Sequence, residues 1–120
     1  MQLLDMAAQG AIELVISEPI MAETLRVLRN KFQWSSQALQ EAEATLSSIT
    51  THVSPKQPLY VIQHDEPDNR ILECAQEAKS DYIISADNDL LRLQQFGKAR
   101  IVKVADFLRV VGQAAPGRER

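Results

Sequence analysis

With a single cysteine, Cys74, the chain cannot close an internal disulfide, and its histidines, His52 and His64, do not pair with it at zinc-like spacing. Both absences favour a reducing, cytoplasmic setting. No apolar run approaches the ~20 residues of a membrane span, and the N-terminus lacks the basic-then-apolar order of a signal peptide. A soluble, intracellular protein with no membrane role is expected. There is no internal repeat and no low-complexity tract. Positive charge is not in excess either: the net charge is −3, which argues against a passive nucleic-acid coat, since phosphate binding draws on Lys and Arg. Acidic balance has another source if carboxylates converge on a divalent metal, because the bound ion inverts the local sign and admits a phosphate.

What is present is an ordinary 45% hydrophobic fraction over 120 residues, enough for one domain with a real core. Asp81 to Leu91 organises it. Tyr82, Ile83 and Ile84 favour a buried strand, which empties into Asp87 and Asp89 one residue apart. Open α/β sheets place ligands beyond such strand ends. An N-cap for the helix begun by Leu90 and Leu91 is the simpler role for either acid.

Patterning predicts a helix through Met1 to Gln9 closed at Gly10, and a strand over Ala11 to Ile16. Ser17 is a candidate N-cap for a helix running to about Lys31, with Glu23 at the border of its apolar stripe and Arg26 and Arg29 pointing away. Phe32, Gln33 and Trp34 make a short connection. Ser35 or Ser36 caps a second helix to about Thr50, and Thr51 to Val53 forms a short strand. Pro55 and Pro58 mark a loop. A helix of about Asn69 to Ala78 follows, burying Ile71, Leu72, Ala75 and Ala78 with Glu73, Gln76 and Glu77 opposite. Asp68 projects on the buried side of its first turn, while Asp65 and Glu66 lie outside it. A turn at Gly97, a strand over Ile101 to Val104 and a helix over Ala105 to Val111 close the domain, residues 1–111, and residues 112–120 are expected to form a flexible tail. Strands alternating with helices predict a three-layer α/β/α domain on a mainly parallel sheet.

Glu23, Asp68 and Asp87 thus come from a stripe border, a helix N-terminus and a strand end, which one α/β crevice can unite. Hard oxygen donors of this kind suit Mg²⁺ or Mn²⁺. No Ser/His/Asp or Cys/His arrangement competes with them, and Cys74 sits on a helix as core.

These residues resemble the PIN domains, whose best-known bacterial members are the VapC-like toxins of toxin–antitoxin pairs. Ser17-Glu-Pro-Ile-Met-Ala-Glu23, Asp68-Asn-Arg-Ile-Leu-Glu73 and Ser80-Asp-Tyr-Ile-Ile-Ser-Ala-Asp-Asn-Asp-Leu-Leu91 match the family's acidic motifs in order and type. The resemblance implies a Mg²⁺- or Mn²⁺-dependent endoribonuclease with Glu23, Asp68 and Asp87 as metal ligands and Asp89 as an auxiliary catalytic acid. It also implies an RNA substrate, a cognate antitoxin and homo-oligomer formation. Arg26, Arg92, Lys98 and Arg100 are the candidate cations for RNA. Similar PIN domains begin with a strand ending in Asp-Thr-Asn or the like, which has no counterpart here, Asp5 lying inside a helical pattern. The chain is therefore expected to be N-terminally truncated relative to the family. It is then a fragment of an active nuclease, a domain completed by a strand from another chain, or a degenerate, inactive domain that binds a protein partner or its own copy, and without the first Asp the chain is expected to bind metal weakly or not at all. A Toprim-like phosphoryl-transfer domain also carries Asp-x-Asp after a strand, but fits the Glu23 and Asp68 motifs less well.

Overall fold

The computed structural model describes residues 2–62 and 66–114. The chain forms two compact units, Met1–Ala78 and Lys79–Arg120. In the first, the elements are α1 (Gln2–Ala8), β1 (Leu14–Ser17), α2 (Glu18–Asn30), α3 (Ser36–Ile49), β2 (Thr50–Val53) and α4 (Glu66–Ala78). β1 and β2 pair in parallel, Leu14 opposite Thr50 through to Ser17 opposite Val53, with α2 and α3 as the crossover between them. A parallel pair needs such a connection because the chain must return to its starting end. α4 packs on β1 and α2, and Ile16, Met21, Leu72, Cys74 and Ala75 are buried in this unit.

The helix ends follow local chemistry. Gly10, just past α1, has φ of +80°, which costs glycine nothing. Of the two serines that could cap α3, Ser35 does so, its hydroxyl accepting the Ala38 N–H at 3.1 Å. Ser17 occupies the N-cap position of α2, but its side chain makes no capping bond. Pro19, at the second helical position, lacks one of the N–H groups such a cap would bind. The Ser17 side chain is fully buried instead, beside Cys74 of α4.

Between β2 and α4 the chain passes Pro55 and Pro58 without forming a strand, yet it is held by side chains of α4. Asn69 accepts the Ile62 N–H and donates to the Ile62 carbonyl, both at 2.8 Å. Glu73 accepts the Leu59 N–H at 2.7 Å and pairs with Arg70 at 2.9 Å, while Arg70 donates to the Leu59 carbonyl at 3.3 Å. Four polar groups of the loop backbone are thus satisfied by one helix face. This corrects the helical-wheel expectation for Glu73. It is only 8% exposed, because the loop folds over a face that periodicity assigns to solvent. α4 also begins three residues before Asn69, so that Glu66 belongs to it, while Asp65 and His64 lie outside the described residues.

The second unit contains β3 (Tyr82–Ile84), α5 (Asn88–Leu93), β4 (Gln95–Phe96), β5 (Ala99–Val102) and α6 (Val104–Ala114). β3 and β5 pair in parallel, Tyr82 opposite Arg100 and Ile84 opposite Val102, and β4 runs antiparallel along β5. Gly97, at φ +59°, takes the first position of the two-residue hairpin loop between β4 and β5, where positive φ is required. Tyr82 and Phe107 meet edge to face at 5.3 Å, and Ile83, Leu90, Ala99 and Ile101 are buried. The last strand lies two residues earlier than expected, at Ala99–Val102, and the closing helix runs from Val104 to Ala114, beyond its expected end at Val111. The fold class is α/β with parallel pairing, as expected. Among the described residues the strands form two separately hydrogen-bonded sheets, β1–β2 and β3–β5–β4.

Candidate active site

Glu23 lies on α2, half-buried at the edge of the apolar stripe, as its wheel position implies. Its two carboxylate oxygens accept from Nε and Nη2 of Arg26 at 3.0 and 2.7 Å. This bidentate bond holds the Glu23 carboxyl below its usual range, outweighing the opposing effect of burial, and the attraction of the guanidinium adds to it. The pair is too exposed to matter much to folding. Its effect is to keep Glu23 ionised and fix its rotamer.

Asp68 sits in the first turn of α4 and is only 5% exposed. The buried orientation expected from the wheel is met. A carboxylate there is favoured by the positive end of the helix dipole. Asn69 and Glu73 follow it in the same helix and bind the Leu59–Ile62 backbone, so the turn that carries Asp68 is anchored on the loop side.

Asp87 and Asp89 stand at the carboxyl end of β3, in the second unit. The turn is a relay of short side chains. Ser85 Oγ accepts the Asp87 N–H at 2.9 Å, and Asp87 Oδ1 accepts the N–H groups of Asp89 at 2.8 Å and Leu90 at 3.4 Å. Asp87 is therefore the N-cap of α5, the simpler of its two anticipated roles. Its Oδ2 makes no hydrogen bond among the described residues, so capping leaves one oxygen of an exposed carboxylate open. Asp89 is half-exposed and accepts from Arg92 at 3.0 Å. Ser85 escaped the sequence reasoning, although Ser two residues before Asp at a strand end is a recognisable turn signal.

Three of the four cations expected to contact RNA are engaged in exposed ion pairs: Arg26 with Glu23, Arg92 with Asp89, and Lys98 with Asp81 at 3.1 Å. Arg100 is exposed with no ion pair among the described residues. Asp5 is an exposed residue of α1, consistent with its helical pattern. Cys74 is buried, as expected of core. Burial pushes its thiol up from the ordinary value, and the neighbouring Ser17 side chain offsets this in part. Cys74 should accordingly react with a thiol-disulfide reagent at pH 8 at least about tenfold more slowly in the native protein than in guanidinium. Equal rates, followed by absorbance of the released thiol, would contradict the burial.

Glu23, Asp68, Asp87 and Asp89 are each carboxylates, hard oxygen donors of the kind that suits Mg²⁺ or Mn²⁺ better than Zn²⁺. No helix among the described residues is long and apolar enough to cross a membrane. Compared with known proteins, residues 1–89 match a family model described as PIN domain. No curated protein and no solved structure matches the chain.

Proposed function

The chain belongs to the PIN domain family, and from that premise we propose that it is a Mg²⁺- or Mn²⁺-dependent endoribonuclease of the toxin–antitoxin type. Glu23, Asp68 and Asp87 are the metal ligands in this proposal, and Asp89 is the auxiliary acid. The observation that carries it is the family match, because residues 1–89 include all four acids. The family is of nuclease type and generally depends on divalent metals. When bound, such an ion lowers the pKa of a water and neutralises charge developing on a phosphate.

The chain's own groups prepare for that chemistry. Arg26 keeps Glu23 ionised and oriented. Asn69 and Glu73 anchor the turn of Asp68. The N–H groups of Asp89 and Leu90 fix the Asp87 carboxylate through Oδ1 and leave Oδ2 available. The partners of the proposed function are RNA, a cognate antitoxin and a second copy of the chain, in a cytoplasmic setting.

Cleavage of single-stranded and structured RNA tests the reading. The wild type should cut in Mn²⁺ or Mg²⁺ and not in EDTA, and calorimetry should record saturable Mn²⁺ binding. Asp68→Asn, nearly isosteric, should lose both cleavage and Mn²⁺ binding while keeping its circular dichroism. Absence of metal-dependent cleavage in the wild type would overturn the nuclease reading and leave a partner-binding domain.

A further inference from the structure

Between Glu23 and Glu41 the chain has no carboxylate but has Arg26, Arg29 and Lys31, a local excess of positive charge in a protein of net charge −3. Its centre is the turn from α2 to α3, Arg29-Asn-Lys-Phe-Gln-Trp34, where two cations, Arg29 and Lys31, are followed at once by two aromatic residues, Phe32 and Trp34. Exposed aromatic residues are costly, and here two occur two positions apart: Phe32 is 60% and Trp34 42% exposed.

The turn is also conformationally defined. The Trp34 N–H reaches back six residues to the Leu28 carbonyl at 3.1 Å, and the Lys31 N–H binds the Val27 carbonyl at 2.8 Å. Gln33 takes a left-handed φ of +57° to make this closure, a position where glycine is the usual choice. A side chain kept at that position, with its backbone cost, gives less freedom than glycine would. The aromatic rings are thus displayed from a closed turn and not from a loose loop.

The free cations of this turn stand side by side, whereas the others without an ion pair among the described residues, Lys56, Lys79, Arg100 and Lys103, are spread over three further stretches of the chain. Arg26, Arg70, Arg92, Lys98 and Arg109 are all in ion pairs. Arg29 and Lys31 are exposed and have no ion pair among the described residues, Arg29 making only a 3.4 Å bond to Asn30. Free cations next to open aromatic faces offer a strand both kinds of contact it needs, charge for its phosphates and rings for its bases.

We propose that the α2–α3 turn binds single-stranded RNA, Phe32 and Trp34 stacking on bases and Arg29 and Lys31 contacting phosphates. The inference rests on the ribonuclease reading for its choice of ligand, and it names a substrate-binding surface for the same protein. Lys31 lies eight residues beyond Glu23, about 12 Å along one helix at 1.5 Å per residue. RNA held at the turn is therefore within a short span of α2's acidic residue.

Trp34 is the sole tryptophan, so its emission reports the contact directly. A single-stranded oligoribonucleotide, titrated into the full chain in EDTA, should quench Trp34 saturably. Phe32→Ala should weaken binding roughly five- to 150-fold, the range for loss of one base stack. Arg29→Ala with Lys31→Ala should reduce the slope of log affinity against log salt by roughly 1.4, two phosphates at ~0.7 each. Circular dichroism checks that these exposed substitutions leave the fold intact. Absence of RNA binding, RNA binding with unchanged Trp34 emission, or an unchanged salt slope would each overturn the proposal. So would quenching by polyglutamate but not by RNA, which would assign the surface to an acidic protein partner. Because EDTA removes any metal-dependent cleavage, the two readings fail separately. Quenching without cleavage in Mn²⁺ sinks the nuclease and keeps the RNA surface, and cleavage without quenching does the reverse.

Discussion

Asp87→Asn is expected to lower metal-dependent RNA cleavage by at least about 100-fold while leaving the thermal midpoint almost unchanged. The two effects separate because Asp87 has two oxygens with two roles. Oδ1 caps α5 through the N–H groups of Asp89 and Leu90, and Asn caps a helix about as well as Asp does. Loss of the charge at the helix N-terminus costs about 0.5 kcal/mol in an exposed setting. Cleavage has no such substitute. Removing a group that merely supports a metal ligand typically costs 10- to 100-fold, so removing a proposed ligand should exceed that range. Asp87→Ala is the control: it should lose activity to the same extent and about 1 kcal/mol of stability as well, since the cap goes too. Wild-type cleavage by Asp87→Asn, measured in Mn²⁺ on the same RNA, would reduce Asp87 to a helix cap.

Glu73→Ala should be among the more damaging single changes outside the hydrophobic core, at about 2 to 3 kcal/mol. Glu73 is 8% exposed and accepts from both the Leu59 N–H and Arg70. Alanine would strand a backbone donor and a cation together. Breaking a fully buried pair costs about 3 to 5 kcal/mol, but the Arg70 side chain is 27% exposed and recovers some hydration, which places the estimate lower. Against a typical total of 5 to 15 kcal/mol, such a loss is large. Glu73→Gln keeps an acceptor for Leu59 and should cost about 1 kcal/mol. Urea denaturation gives the energies, and amide exchange locates them: the Leu59 and Ile62 N–H groups should exchange faster in Glu73→Ala than in the wild type. An unchanged urea midpoint with unchanged exchange would show that the loop does not depend on the carboxylate.

These two residues differ in how far they could be anticipated. Asp87 follows an apolar β-branched run and precedes Leu90 and Leu91, so both its place at a strand end and its capping role are written locally. Asp68 was also legible, because helical periodicity puts it on the buried side of its turn, and it is buried. Glu73 was misplaced by the same periodicity. A wheel divides a helix into apolar and polar faces and has no means of registering a polar loop laid over the polar one. The available signal was the spacing of Asn69 and Glu73, four residues apart and so one above the other on a helix surface. The turn from Arg29 to Trp34 was likewise visible as composition and passed as a connection, since exposure of Phe32 and Trp34 cannot be read from their types.

By itself, the sequence determined the order of the helices and of every strand but the two-residue β4, narrowed the caps to Ser35 or Ser36 and to Asp87 or Asp89, and supplied the acidic motifs that place the chain among PIN domains. These depend on patterns within a few residues, and local backbone preference and periodicity are enough to produce them. Only the tertiary structure decided that Glu73 and Asn69 bind a proline-containing loop, that Ser17 turns from its helix toward Cys74, and which cations are paired and which stand free. Each of those outcomes needs a partner brought from elsewhere in the chain or from another turn of helix. The free energy of a polar group is set by what replaces its water, and that partner is known only once the chain has folded.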